Sequence, residues 1–265
     1  MLFTSTLITY IVIFLISMAA AFAGADLLHK SASQNNRIDC FNNCRRNVLF
    51  SANRFGIAAE AAGKSVALKD VADKTFNMIS VDRDTSTNDS LMILANGLAE
   101  NEKITEKGAD YETFVNALYY VCEFLAKKMA GDGEGATKLF EAKVVNAKSK
   151  EDARTLSRAI VASSLSKAAI YGCDANFGRF LCAMGYSGAE FDQNNVELFF
   201  ESKEGRLQVF DKGTPIVFDE EVATKILSAE EVTIFVDMHE GEGEATAWGC
   251  DLTYDYVKIN ADYRS

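Results

Sequence analysis

The chain has 265 residues, 48% of them hydrophobic and 25% charged, a composition that suits a folded domain and excludes wholesale disorder. Its net charge of −11 is unevenly placed: residues 1–54 carry five Lys/Arg against two Asp, a net +3, and the remaining 211 carry a net −14. An acidic body without a Lys/Arg stripe excludes nucleic acid as a partner, because affinity for phosphate rests on those cations.

Met1–Ala25 holds no charge, and Leu7–Ala23 (LITYIVIFLISMAAAFA) is almost wholly apolar. Three readings compete for it. A signal peptide would need a basic leading region that is absent here. A membrane span would be at the short end of the usual length. In a soluble fold it would be a buried strand running into a buried helix. Lys30–Asn47 (KSASQNNRIDCFNNCRRN) is polar, Asn-rich and aperiodic, and reads as loop or disorder. Cys40 and Cys44 form a lone CxxxC with only His29 nearby, an incomplete ligand set, so no metal is expected. Six cysteines without a CxxC pair point to a reduced, cytoplasmic body. A helix-forming pattern begins near Phe55. The chain therefore divides into an atypical segment, 1–54, and one continuous domain, 55–265.

FNMISV (Phe76–Val81) predicts a strand, and DRDTSTND (Asp82–Asp89) follows it. An EF-hand loop is excluded, because Thr87 and Ile93 stand where Gly and Glu are required. The polar side chains are expected to bond backbone amides and cap a helix from about Ser90. Residues 110–130 place Phe114, Leu118, Val121, Cys122 and Leu125 on one helical face. GDGEGATK (Gly131–Lys138) lacks the Walker A and G-x-G-x-x-G spacings, so no nucleotide is expected there. Its glycines flank Glu134, which would either hold a ligand's ammonium group or sit in a solvated turn.

Lys138–Ala147 alternates as a strand with Phe140, Ala142 and Val144 on one face, and 150–170 reads as a single helix. In Tyr171–Gly188, Arg179 is suited either to a substrate carboxylate or to an ion pair with Asp174. Strands are expected near Val196–Phe200, Arg206–Phe210 and Ile216–Phe218, a helix near Glu220–Leu227, and a strand at Val232–Val236. His239 reads as a surface residue. A final strand pair, Thr246–Leu252 and Tyr256–Ile259, is expected to tie the tail down. The fold class is thus α/β, a layered sandwich of mixed or antiparallel sheets covered by helices.

Four motifs, FN-x-I-S-V-D-x-D-TSTND, DGEGATK, D-x-N-x-GR-x-L-x-A-x-GYSG and the terminal AWGCDLTYDYVKINADYRS, together resemble the ornithine acetyltransferase family, the bifunctional glutamate N-acetyltransferases of arginine biosynthesis. The resemblance runs from Phe76 to Ser265. It implies a multifunctional acyltransferase that cleaves itself before an internal threonine into α and β chains. That threonine, activated by its own amine, takes acetyl from N-acetylornithine and passes it to glutamate. Acetyl-CoA is implied as a further donor in some members, with no cofactor, and the assembly as an α2β2 heterotetramer. By position, Glu134, Asn260 and Ser265 match the family's substrate-binding residues. Arg83 stands where the family most often has glycine.

The family's cleavage segment, approximately GxxMxxPNMATMLxF, has no upstream counterpart here. Met1-Leu2-Phe3 fits only the residues after the threonine, and neither Thr4 nor Thr6 follows the required motif. No catalytic residue is assigned, and the chain by itself is expected to be inactive or severely impaired. The alternative expectation is a non-catalytic relative with a membrane-anchored or exported N-terminus and an amino-acid-binding or assembly role.

Overall fold

The computed structural model describes residues 10–12, 47–52, 61–85, 89–95 and 104–262, and they fall into two units. The first comprises Met1–Asp70 with Thr85–Ala117, the second Val71–Asp84 with Leu118–Ser265.

In the first unit, β1 (Tyr10–Val12), β2 (Asn47–Ala52) and β4 (Ser90–Ala95) form a parallel sheet in that order. Three residues of the apolar N-terminal run are therefore strand. The loop reading of Lys30–Asn47 is corrected at its last residue, which opens β2, and the helix expected from Ser90 is strand instead. After Ser90, LMILA is a continuous apolar run, which a parallel strand favours. Cys40, Cys44 and His29 lie outside the described residues. The helix α1 (Ala61–Lys74) is divided between the units after Asp70, and its residues Ala67 and Val71 are buried.

The second unit is built on a seven-stranded mixed sheet. Its strands are β3 (Ile79–Ser80), β5 (Leu139–Ala147), β6 (Glu197–Ser202), β7 (Gly205–Asp211), β8 (Thr214–Pro215), β9 (Glu231–Asp237) and β10 (Gly243–Cys250). They run in the order β3-β10-β5-β9-β6-β7-β8, parallel at β3/β10 and β5/β9 and antiparallel at the other pairings. Alternation decides the faces. Phe140, Ala142 and Val144 of β5, Val232, Ile234 and Val236 of β9, and Leu198 and Phe200 of β6 are all buried. They pack in one core with Leu156, Ile160, Phe180 and Ile226 from the helices. Phe180 meets Phe140 at 6.2 Å and Phe200 at 5.8 Å, both edge to face.

The covering helices are α2 (Ala109–Gly131), of which Leu118–Gly131 belongs to this unit, α3 (Lys150–Ala162), α4 (Ser164–Tyr171), α5 (Phe177–Gly185), α6 (Glu220–Leu227) and α7 (Tyr254–Asp262). The single helix expected over 150–170 is two. Ser163, at ψ 119°, ends α3, and its hydroxyl accepts from Ser166 N to start α4. On the other face of the sheet, Lys127 of α2 reaches Glu141 at 3.1 Å and lies over the ring of buried Trp248, whose Nε1 donates to Glu141 at 2.7 Å. Burial is the largest single influence and disfavours the Lys127 charge, yet Glu141, with Glu123 and Glu231, together outweigh it and hold the ammonium above its ordinary pKa. Two further expectations are corrected. Ile216–Phe218 is not strand, β8 being Thr214–Pro215, and Tyr256–Ile259 belongs to the helix α7.

Candidate substrate site at the glycine-rich loop

Three segments of the second unit meet around Asp132–Lys138, the connection from α2 into β5. They are the loop itself, the turn after β3, and the chain from the end of β10 into α7. The glycines have distinct reasons to be there. A Cβ on Gly133 would lie 2.7 Å from Cys250 Sγ and 3.2 Å from Val81. Gly135 has φ +68°, and a Cβ there would come within 2.8 Å of Asp255 Cβ and 3.0 Å of the backbone of Asp255 and Tyr256. The loop thus lies against the first turn of α7, an approach open only to a residue without a side chain.

Polar side chains fasten that approach. Asp251, 3% exposed, accepts from Thr137 N at 2.8 Å and Lys138 N at 3.0 Å, and from the Thr137 hydroxyl on its other oxygen. Thr253 caps α7 by accepting from Tyr256 N at 3.2 Å, and its hydroxyl donates to Gly135 O at 2.8 Å. The Tyr256 hydroxyl donates to Asp82 at 3.3 Å, linking α7 to the turn after β3. Beneath the loop, the Lys138 ammonium donates to Ile170 O and Leu227 O, each at 2.8 Å, the last carbonyls but one and last of α4 and α6. Buried Lys167 donates to Cys250 O and lies 3.4 Å from Cys250 Sγ. Burial raises the Cys250 thiol pKa, against the opposing pull of Lys167.

Asp82 accepts from Asp84 N at 3.0 Å, a side-chain bond to a backbone amide of the expected kind, which makes the DRD segment an Asx turn. Within it Arg83 adopts φ +75°, a conformation costing a non-glycine residue about 1–2 kcal/mol. Its guanidinium donates to Ala162 O at 2.7 Å, the last carbonyl of α3, where a cation is favoured. Arg83→Ala keeps the strained backbone and loses the bond, whereas Arg83→Gly loses the bond and the strain. In urea unfolding the glycine variant is expected to exceed the alanine variant in stability by about 1 kcal/mol.

Glu134 is half-buried in the loop, directly before Gly135 and hence beside the start of α7. Asn260 lies one turn beyond Tyr256 on α7, exposed, and its Nδ2 donates to Tyr256 O at 2.9 Å. The loop carrying Glu134 and the helix carrying Asn260 are therefore joined through Gly135, Thr253 and Tyr256. Ser265 lies outside the described residues, as do Ser86, Thr87 and Asn88 of the DRDTSTND motif. Arg179 is in an ion pair with Asp174 at 3.3 Å and donates to Leu165 O at 3.3 Å, which favours the structural of its two readings.

His239 is exposed, as expected, and its two nitrogens face Glu197 at 3.0 Å and Asp237 at 3.5 Å. These three bring ligand atoms within 4.8 Å of one another. A carboxylate on each imidazole nitrogen is the arrangement of a paired side chain.

Sequence reasoning missed Asp251, Thr253 and Tyr256. The D-x-T immediately before a run of helical length was the available signal, since Thr is a favoured N-cap.

A mixed sheet with helices on it, carrying a glycine-rich loop clasped to a C-terminal helix, defines an α/β protein of an already solved fold. The crystal structure of the arginine biosynthesis bifunctional protein argJ from Bacillus halodurans is similar with a TM-score of 0.75 and 45% sequence identity, covering 81% of this chain and 99% of that one. The ArgJ family profile matches residues 56–265, and the chain belongs to the ArgJ family. It is 52% identical over 199 residues to the arginine biosynthesis bifunctional protein ArgJ 1 of Clostridium acetobutylicum, covering 75% of this chain and 49% of the relative. With the ArgJ of Symbiobacterium thermophilum it shares 52% identity over 208 residues, 78% of this chain and 51% of the relative. The chain spans about half the length of the curated relatives it matches.

Proposed function

We propose that this chain is the β-chain part of a glutamate N-acetyltransferase, which moves acetyl from N-acetylornithine to glutamate in arginine biosynthesis. The observation that carries the reading is the clasp between the Glu134 loop and α7, which puts the two described residues of the expected substrate set on directly joined elements. Both substrates are amino acids or their derivatives. The Glu134 carboxylate suits the ammonium group of ornithine or its precursor's side-chain counterpart, while the Asn260 amide and the Ser265 hydroxyl can donate to a substrate carboxylate.

In this reading the covalent step belongs to a threonine on the family pattern, which none of this chain's residues is assigned to supply, and an α chain completes an α2β2 assembly. No cofactor is required, and acetyl-CoA is an acetyl donor and thus a substrate. The family match beginning at residue 56 supports treating 1–54 as a separate, atypical segment and 55–265 as the acetyltransferase domain. A cytoplasmic location is in keeping with relatives named for arginine biosynthesis. Among the described residues no helix is long and apolar enough to cross a membrane.

Calorimetry with the full chain and a relative's α chain tests the reading. Binding of N-acetylornithine is expected to weaken about tenfold to a hundredfold in Glu134→Gln, because a bond to a charged group contributes about 1.5–3 kcal/mol. No measurable binding by the unaltered complex, or equal binding by the variant, would overturn it.

A further inference from the structure

Independently of acetyl transfer, we propose that Lys138 and Cys173 form an oxidative modification site, at which peroxide joins their side chains through a bridging oxygen. The Lys138 ammonium lies 3.0 Å from Cys173 Sγ and is held there by two other acceptors, Ile170 O and Leu227 O, both at 2.8 Å. Nitrogen and sulfur are thus kept in contact by the ends of two helices. The Cys173 thiol has Leu227 O as its own acceptor at 3.5 Å, and the residue is confined at φ +52°. The Lys138 ammonium is the charged group that faces the sulfur. Both side chains are only half-buried, which admits an oxidant the size of hydrogen peroxide.

The chemistry balances with two equivalents of hydrogen peroxide. Cys173 sulfur attacks one peroxide oxygen, the O–O bond breaks, and a sulfenic acid and water form. The Lys138 amine, its extra proton lost to solvent, attacks the second peroxide and gives a hydroxylamine and water. The hydroxylamine oxygen then attacks the sulfenic sulfur and expels water, closing Nζ–O–Sγ. Sulfur and nitrogen are each oxidised by two electrons, two peroxides are reduced, and three waters leave.

The other described cysteines form an internal comparison. Cys122 is fully buried and its thiol is pushed up to about 12, so it stays unreactive. Cys250 also touches a lysine but is 3% exposed, so it follows Cys173 in rate. Cys182 is exposed and is expected to gain oxygen alone.

The test is peroxide treatment of the full chain followed by intact mass and peptide mapping. One cross-linked product joining the Lys138 and Cys173 peptides is expected, heavier by about 14 Da (one oxygen gained, two hydrogens lost) and reversed by dithiothreitol. It should be absent from Cys173→Ser and from Lys138→Arg. Should the arginine variant not fold, the near-isosteric serine variant decides alone. The proposal is overturned if Cys173 gains only steps of about 16 Da while Lys138 remains open to an amine reagent, or if the product persists in Cys173→Ser.

Discussion

Gly135→Ala is expected to lower stability by about 2–4 kcal/mol and, on the proposed substrate-site reading, to abolish amino-acid binding at the Glu134 loop, whereas the same change at Gly185 is neutral or stabilising. At Gly135 two effects add. The backbone at φ +68° disfavours any L side chain by about 1–2 kcal/mol, and the new methyl meets the backbone of α7 at 3.0 Å and Asp255 Cβ at 2.8 Å. Neither neighbour is the free end of a flexible side chain, so loop and helix must separate. That separation breaks the Thr253–Gly135 bond and displaces Glu134 from the helix bearing Asn260. At Gly185, the last residue of α5, nothing lies within 4 Å of an added Cβ, and alanine restricts the unfolded chain by about 0.4–1 kcal/mol. Urea unfolding of both variants, with calorimetry for binding, checks the contrast. Equal effects at the two glycines would refute the close-approach explanation.

Asp251→Ala has the second large expected effect, a loss of about 3 kcal/mol. Its carboxylate receives two backbone N–H groups and one hydroxyl from Thr137 and Lys138, and an alanine leaves those donors facing a gap. For a domain of this size the loss corresponds to a fall in Tm of roughly 6–12 °C. Asp251→Asn keeps one acceptor oxygen but places an amide donor opposite the remaining donor groups, so it should fall between wild type and alanine. Because Asp251 holds the exit of the loop and not Glu134 itself, added ligand should restore part of the Tm. A Tm within about 1 °C of wild type for the alanine variant would show that the three bonds contribute little.

Local regularities were legible wherever burial and period agreed. β5 alternates as the sequence predicts because one face of it enters the core, and α6 spans Glu220–Leu227 with Asp219 capping it at Glu221 N and Val222 N. The four motifs were likewise enough to point to the family that the comparisons establish. The tail was misread for a physical reason. Tyr254, Tyr256, Val257 and Ile259 have the composition of a strand, yet α7 buries no residue, and Tyr254 is 83% exposed. With no buried face, hydrophobic period carries no information there, and the Thr253 cap decides the conformation. The α3/α4 break was missed because both helices are apolar on the core side, and only the Ser163 backbone and hydroxyl separate them.

The sequence alone determined which residue types are present at short spacing: Glu134 between two glycines, Asn260 near the end, an arginine in place of the glycine at 83, and an acidic body distinct from its basic front. The tertiary structure alone decided what those residues do for one another. Asp251 reaches back 114 positions to Thr137, Thr253 reaches 118 to Gly135, and Tyr256 reaches 174 to Asp82. No local pattern encodes such pairs, since the sheet order that places β10 between β3 and β5 is set by the burial of many side chains together.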